Sequence, residues 1–146
     1  MPTQSYAPEG FHSITPYLIV KEGVKAVEFY KKAFDAIEVE KHVTPEGLLL
    51  HARLKIGDSQ IMLFDENPEC SQEGLVSPLS LSGTSSLLYI YVENVDSSFQ
   101  KAIDLGATSI LPIDDMFWGD RYGQLQDPFG HRWSLATHLS SGESKK

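Results

Sequence analysis

The chain has 146 residues, 41% hydrophobic and 22% charged, a globular mixture long enough for one domain with a sizeable core and too short for two large independent ones. Its formal net charge of −8 argues against a nucleic-acid partner and against anionic membrane surfaces, both of which need a basic face. No apolar run approaches the roughly 20 residues that span a bilayer.

Residues 1–13 have neither a basic start nor an apolar stretch, so they read as a tail rather than a secretory signal, and a cytoplasmic location is expected. Tyr17-Leu18-Ile19-Val20 is an apolar β-type run, and a turn and a helical pattern follow it. Val24, Val27, Tyr30, Ala33 and Phe34 recur at helical spacing with charged residues between them, and Asp35-Ala36 closes the helix. Three strand-like segments come next, at 37–43, 47–56 and 59–65, broken at Pro45-Glu46-Gly47 and Gly57-Asp58. Residues 66–85 are Ser/Pro/Glu-rich and aperiodic, a connection long enough to be functional or mobile. They include Cys70, the only cysteine, whose neighbours Glu69 and Glu73 disfavour a thiolate; neither a disulfide nor a thiolate metal cluster is possible within the chain.

The order then returns. A β-type run at 87–92 precedes a helix with Val95, Phe99, Ala102 and Ile103 on its apolar stripe, Asp96 in its first turn and Gly106 at its end. Strands follow at 108–111, 121–127 and 132–138, with Pro112 and Asp127-Pro128-Phe129-Gly130 as punctuation, and residues 139–146 read as a second tail. The chain is therefore predicted to be an α+β protein of two βαβββ modules, one at about 14–65 and one at about 86–138, within a single domain.

Particular segments sharpen this pattern. Thr15-Pro16-Tyr17-Leu18, Glu28-Phe29-Tyr30, His51-Ala52, Phe117-Trp118-Gly119-Asp120-Arg121-Tyr122-Gly123 and Asp127-Pro128-Phe129-Gly130-His131-Arg132-Trp133 together resemble the vicinal oxygen chelate superfamily (glyoxalase I, bleomycin- and fosfomycin-resistance proteins, extradiol dioxygenases), and within it the PhnB-like branch. The resemblance covers about residues 14–138. It implies curved sheets around a cavity with helices on the convex side, and commonly a homodimer. Asp35 stands where such proteins usually carry glycine. Catalytic members hold a divalent metal through His and Glu on the first and last strands of each module; carried over, those positions are Thr15, Leu63, Leu87 and Ser134. Leucine cannot ligate and neutral hydroxyls ligate poorly, so neither a metal nor another cofactor is expected.

Strand alternation nominates the residues that would line the cavity instead. Leu50, Ala52, Leu54 and Ile56 would form the helix-facing side of the third strand, directing His51, Arg53 and Lys55 to the other. Thr15 pairs in this sense with Tyr17, Tyr89 with Leu87 and Tyr91, and Tyr122 with Gln124 and Gln126. Aromatic walls with a few polar groups suit a small organic molecule. Arg53 would favour a flat or anionic one. His51 is the candidate general base, because imidazole titrates near neutrality; with Arg53 it could equally sit on a half-solvated sheet face. Trp118 and Arg121 form either a cavity lip or, through an Arg121 clamp on Asp127 or Asp120, a structural loop. His131 reads as a turn residue bonded to Asp127, His12 and His42 as surface residues, and His131 and His138 as facing opposite sides. The expected ligand contacts are thus Tyr17, His51, Arg53, Tyr89, Trp118, Arg121 and Tyr122.

Three readings of function follow. The first is a metal-independent binder of a small organic ligand, sequestering or protective. The second is an enzyme of the same superfamily, with lyase, dioxygenase or transferase-like chemistry at His51 or at an unconventional metal site. The third is an interaction module whose cavity its own side chains fill.

Overall fold

A computed structural model describes residues 6–67 and 75–139; Cys70 and its acidic neighbours lie outside them. The chain divides into two compact units, Met1–Ser80 and Leu81–Lys146. The first unit runs β1 (Tyr17–Val20), α1 (Gly23–Ala33), β2 (Ile37–Val43), β3 (Leu49–Ile56) and β4 (Ser59–Asp65), followed by a short helix, α2 (Pro78–Leu81). The second runs β5 (Leu87–Tyr91), α3 (Val95–Asp104), β6 (Thr108–Asp115), β7 (Asp120–Gln126) and β8 (Arg132–His138). Each unit is a βαβββ module with one four-stranded mixed sheet, ordered β1-β4-β3-β2 and β5-β8-β7-β6. The first strand of each pairs parallel to the last and the remaining pairs are antiparallel.

In the first unit α1 buries Ala26, Val27, Phe29, Tyr30 and Ala33 on the side of the sheet that carries Leu18, Val20, Leu49, Ala52, Leu54, Ile61 and Leu63. In the second, Val95, Phe99 and Ala102 of α3 are buried with Leu125, Trp133 and Leu135. Each large apolar side chain so covered contributes about 1.5–3 kcal/mol. Asn94 caps α3, its side-chain oxygen accepting from the Ser97 amide at 3.2 Å. At the end of α1, Asp35 takes the left-handed conformation (φ 56°), which a side chain with a Cβ disfavours, and the Ala36 amide donates back to the Tyr30 carbonyl at 3.2 Å.

Four local expectations change. Leu49, not Leu50, takes the buried position in β3. A register shift opposite His42 and Val43 makes Leu50 an extra residue and leaves it 54% exposed. Pro112 does not end its strand: β6 continues to Asp115 as the outermost strand, with a register irregularity between Leu111 and Asp114, where a missing amide proton is tolerated. Part of the N-terminal tail packs, since a turn at Pro8–Phe11 sets the Phe11 ring 5.0 Å below the Arg53 guanidinium. The aperiodic connection is tied down at its ends, where the Glu66 carboxylate accepts from the Ser77 amide and the Ser80 hydroxyl.

Gly23, at the start of α1, lies so close to β3 that an added Cβ would sit 2.8 Å from the Leu49 Cβ and 2.9 Å from Asp65 Oδ1. The Leu49 Cδ2 methyl, at 2.6 Å, could swing away, but the Leu49 Cβ is fixed by its backbone and Asp65 Oδ1 is held by the Gly23 amide. Gly23→Ala is expected to lower stability by about 2–3 kcal/mol, read as a shift of the urea midpoint at unchanged slope.

Candidate functional site

The face of each sheet turned away from its helix gathers most of the nominated residues, in two separate groups. On the first sheet the Tyr17 hydroxyl and His51 Nδ1 are hydrogen-bonded at 3.0 Å, and the Tyr17 ring also packs edge-on against Phe64 at 5.0 Å. Partial burial raises the Tyr17 pKa above its ordinary value. Arg53 Nη1 lies 3.6 Å from the Glu40 carboxylate, which also meets His42 Nε2 at 2.8 Å; those two partners hold the Glu40 carboxyl below its usual range, His42 foremost. Arg53 Nε is buried and, among the described residues, has no hydrogen-bond acceptor. His42 is thus exposed but not isolated, and His12 is exposed.

On the second sheet Asp120, 2% exposed, is the hub. Its Oδ2 accepts from the Tyr89 hydroxyl at 2.5 Å, the Tyr91 hydroxyl at 2.8 Å and Trp118 Nε1 at 3.2 Å, while Oδ1 meets His138 Nδ1 at 2.9 Å. A carboxylate only accepts, so His138 places a proton on Nδ1. Burial by itself would raise the Asp120 pKa, but these hydrogen bonds prevail and hold it below the ordinary value. The phenols respond in the opposite sense. Tyr89 is pushed well above its usual range by burial and by Asp120, and Tyr91 is raised chiefly by its bond to Asp120. Tyr122 forms the floor of this group: it is 6% exposed, its hydroxyl lies 2.7 Å from Ser134 Oγ, and its ring meets those of Tyr89 and Trp118 at 5.4 and 5.3 Å. Tyr89, Tyr91 and Trp118 remain 42%, 62% and 47% exposed.

Arg121 is not part of this group. Alternation along β7 turns it away from Asp120 and Tyr122, and its guanidinium is held by Asp96 at 2.9 and 3.0 Å and by Asp115 at 2.9 Å. The clamp is real but its partners are neither Asp127 nor Asp120. Asp127 is occupied elsewhere, accepting from the Phe129 and His131 amides and from Trp133 Nε1. Three residues of the hub, Asp120, Tyr91 and His138, were not nominated from the sequence. Alternation already put Tyr91 beside Tyr89, whereas the Asp120–His138 pairing requires the β7–β8 register.

The donor set carried over from metal-binding relatives does not fit a divalent cation. Leu63 is wholly buried on the helix-facing side, and its open-face neighbours Met62 and Phe64 are equally unable to ligate. Leu87 is hydrocarbon, and the Ser134 hydroxyl is engaged by Tyr122. Thr15 offers one neutral hydroxyl. Among the described residues no group of three or more His, Cys, Asp or Glu side chains could hold a metal ion.

The two βαβββ units are accompanied by a family match over residues 10–135 to the Glyoxalase/Bleomycin resistance protein/Dioxygenase superfamily, and the chain belongs to that superfamily. An uncharacterized protein of Mycobacterium bovis is 42% identical over 123 residues, covering 84% of this chain and 81% of its own length. The fold is shared with TioX from Micromonospora sp. ML1 (TM-score 0.69, 24% identity, 88% of this chain and 99% of that one). It is shared too with a PhnB protein from Bacillus cereus (TM-score 0.67, 21% identity, 86% and 99%). No helix among the described residues is long and apolar enough to cross a membrane.

The Asp120 hub sets a pH dependence. A carboxyl whose folded pKa is depressed stabilises the fold above its unfolded value, about 3.9, and loses that contribution as pH falls further. Urea unfolding from pH 7 to pH 3 is expected to show a shallower acid loss for Asp120→Asn than for the wild type. Parallel acid limbs would exclude Asp120 as a contributor.

Proposed function

We propose that this protein binds a small, flat organic molecule without a divalent metal, in a sequestering or protective role. The observation that carries the reading is the half-exposed set of Tyr89, Tyr91 and Trp118 fastened to one buried carboxylate. Exposed rings offer stacking area. Rings already fixed by hydrogen bonds cost a ligand little ordering entropy. The hub's carboxyl is shifted down and its phenols up, so these groups serve to hold the rings in place rather than to exchange protons near neutrality. On the first sheet, the part-exposed guanidinium of Arg53, together with Tyr17 and His51, offers a place for an anionic group. Within the superfamily we assign the chain to the PhnB-like branch, on Phe117-Trp118-Gly119-Asp120-Arg121 and Asp127-Pro128-Phe129-Gly130-His131.

The test is a thermal-shift screen of flat aromatic and heteroaromatic compounds, followed by titration of the hits into variants. Trp118→Ala is expected to weaken a stacking ligand about tenfold or more. Arg53→Ala is expected to weaken anionic hits far more than it lowers stability. Hits that bind both variants as tightly as the wild type would place the site elsewhere.

A further inference from the structure

We propose that the open face of the second sheet selects an organic cation, a substituted ammonium or a cationic heteroaromatic ring, on Tyr89, Tyr91 and Trp118. This rests on the ligand-binding reading above and adds to it the sign of the ligand's charge.

The proton inventory gives the first argument. Tyr89 and Tyr91 each have one hydroxyl proton, and both donate it to Asp120 Oδ2. The Trp118 N–H is directed at the same oxygen and at the Tyr89 hydroxyl, 3.2 Å from each. What the hydroxyls retain for a ligand is oxygen lone pairs, which accept from an N–H and repel an anion. An anion arriving here would find the donors of these three side chains already engaged.

The second argument concerns the rings. A phenol or indole that donates its proton to a carboxylate gains electron density, which deepens the negative potential on the ring faces that attract cations. Three such rings converge on one carboxylate, which burial keeps out of bulk solvent and which its hydrogen bonds keep ionised.

The third is the charge around the hub. Residues 81–139 carry seven acidic against three basic side chains. Of the three, Lys101 lies in the last turn of α3, Arg121 is bound to Asp96 and Asp115 on the other side of β7, and Arg132, on the open face at the far end of β8 from His138, donates to Gln126 at 2.8 Å. His138 touches Asp120 directly, while its side chain as a whole stays 71% exposed. On the open face itself the carboxylates are Asp120 and, opposite Tyr122, Asp114, against the single guanidinium of Arg132, so the face is aromatic, accessible and negative, the combination that recognises alkylated ammonium groups.

The experiment titrates the ¹⁵N-labelled full chain with three probes that share one ring and differ in charge: benzyltrimethylammonium, benzyl alcohol and benzenesulfonate. The Trp118 indole N–H and the amides of Tyr89 and Tyr91 report on the site. The expected result is saturable shifts at these signals with the cation, about tenfold tighter than with benzyl alcohol, and no saturable shift there with benzenesulfonate. Trp118→Ala is expected to remove most of the cation response. Should that variant not fold, the charge series on the wild type decides by itself. Benzyl alcohol or benzenesulfonate binding as tightly as the cation overturns the charge assignment and leaves the small-molecule reading standing. Silence with all three probes overturns the assignment as well, whereas the small-molecule reading fails only when the broader screen yields no ligand sensitive to Trp118.

Discussion

Asp127→Ala is expected to cost about 4 kcal/mol of folding stability, the largest effect of any single polar substitution in the second unit. The carboxylate is 2% exposed. Its Oδ1 accepts from the Phe129 amide at 2.9 Å and the His131 amide at 3.0 Å, and its Oδ2 from Trp133 Nε1 at 2.8 Å. Trp133 is itself 1% exposed, so alanine would strand a donor that water cannot reach without opening the core. Each hydrogen bond to a charged acceptor contributes about 1.5–3 kcal/mol, and the three act on one turn, so they sum to less than their total. Asp127→Asn should fall between, because one oxygen still serves the amides while the amide nitrogen faces the Trp133 N–H. Urea unfolding checks this; a loss below about 1 kcal/mol for alanine would mean that the turn rearranges and repairs itself.

In the first unit the comparable position is Asp65, and Asp65→Ala is expected to cost about 3 kcal/mol. Asp65 is 7% exposed at the end of β4 and accepts from the Gly23 amide at 2.5 Å and the Leu49 amide at 2.8 Å. One carboxylate thus joins the start of α1 to the start of β3, two places where backbone donors have no ladder partner. Hydrogen exchange should localise the damage: the Gly23 and Leu49 amides are expected to lose protection before the centre of β3 does. Uniform loss throughout the unit would make Asp65 a contributor to global stability without a local role.

These two carboxylates mark where reading the sequence stops. The strand–helix–three-strand order was legible because apolar spacing changes period at each element and does so twice, so that one half checks the other. Strand alternation also placed Tyr17 with His51 and Arg53, and Tyr89 with Tyr91, on shared faces before any pairing was known. Pairing itself is not local information. Tyr89 and Asp120 are 31 residues apart and two strands apart, joined because β8 lies between β5 and β7. Nothing in the segment Phe117-Trp118-Gly119-Asp120-Arg121 says that Asp120 turns toward Tyr89 while Arg121 turns toward Asp96 on α3.

Leu50 and Pro112 misled for a related reason. A bulge changes which residues of a strand face the helix, and a proline ends a strand only when a partner needs its missing proton. Both depend on the neighbouring strand, not on the residue's own neighbours in sequence.

Metal-independent recognition of a small organic molecule is the central claim, and one measurement tests it most directly. The metal content of the protein as purified is determined by elemental analysis, the protein is then dialysed against a strong chelator, and the dialysed sample is screened for ligand-induced thermal stabilisation with chelator present. The account predicts far less than one metal ion per chain, an unchanged melting temperature after chelation, and at least one organic ligand that raises it by mass action. Close to one zinc, nickel, iron or manganese per chain, with stabilisation by ligands appearing only when that metal is restored, would contradict it.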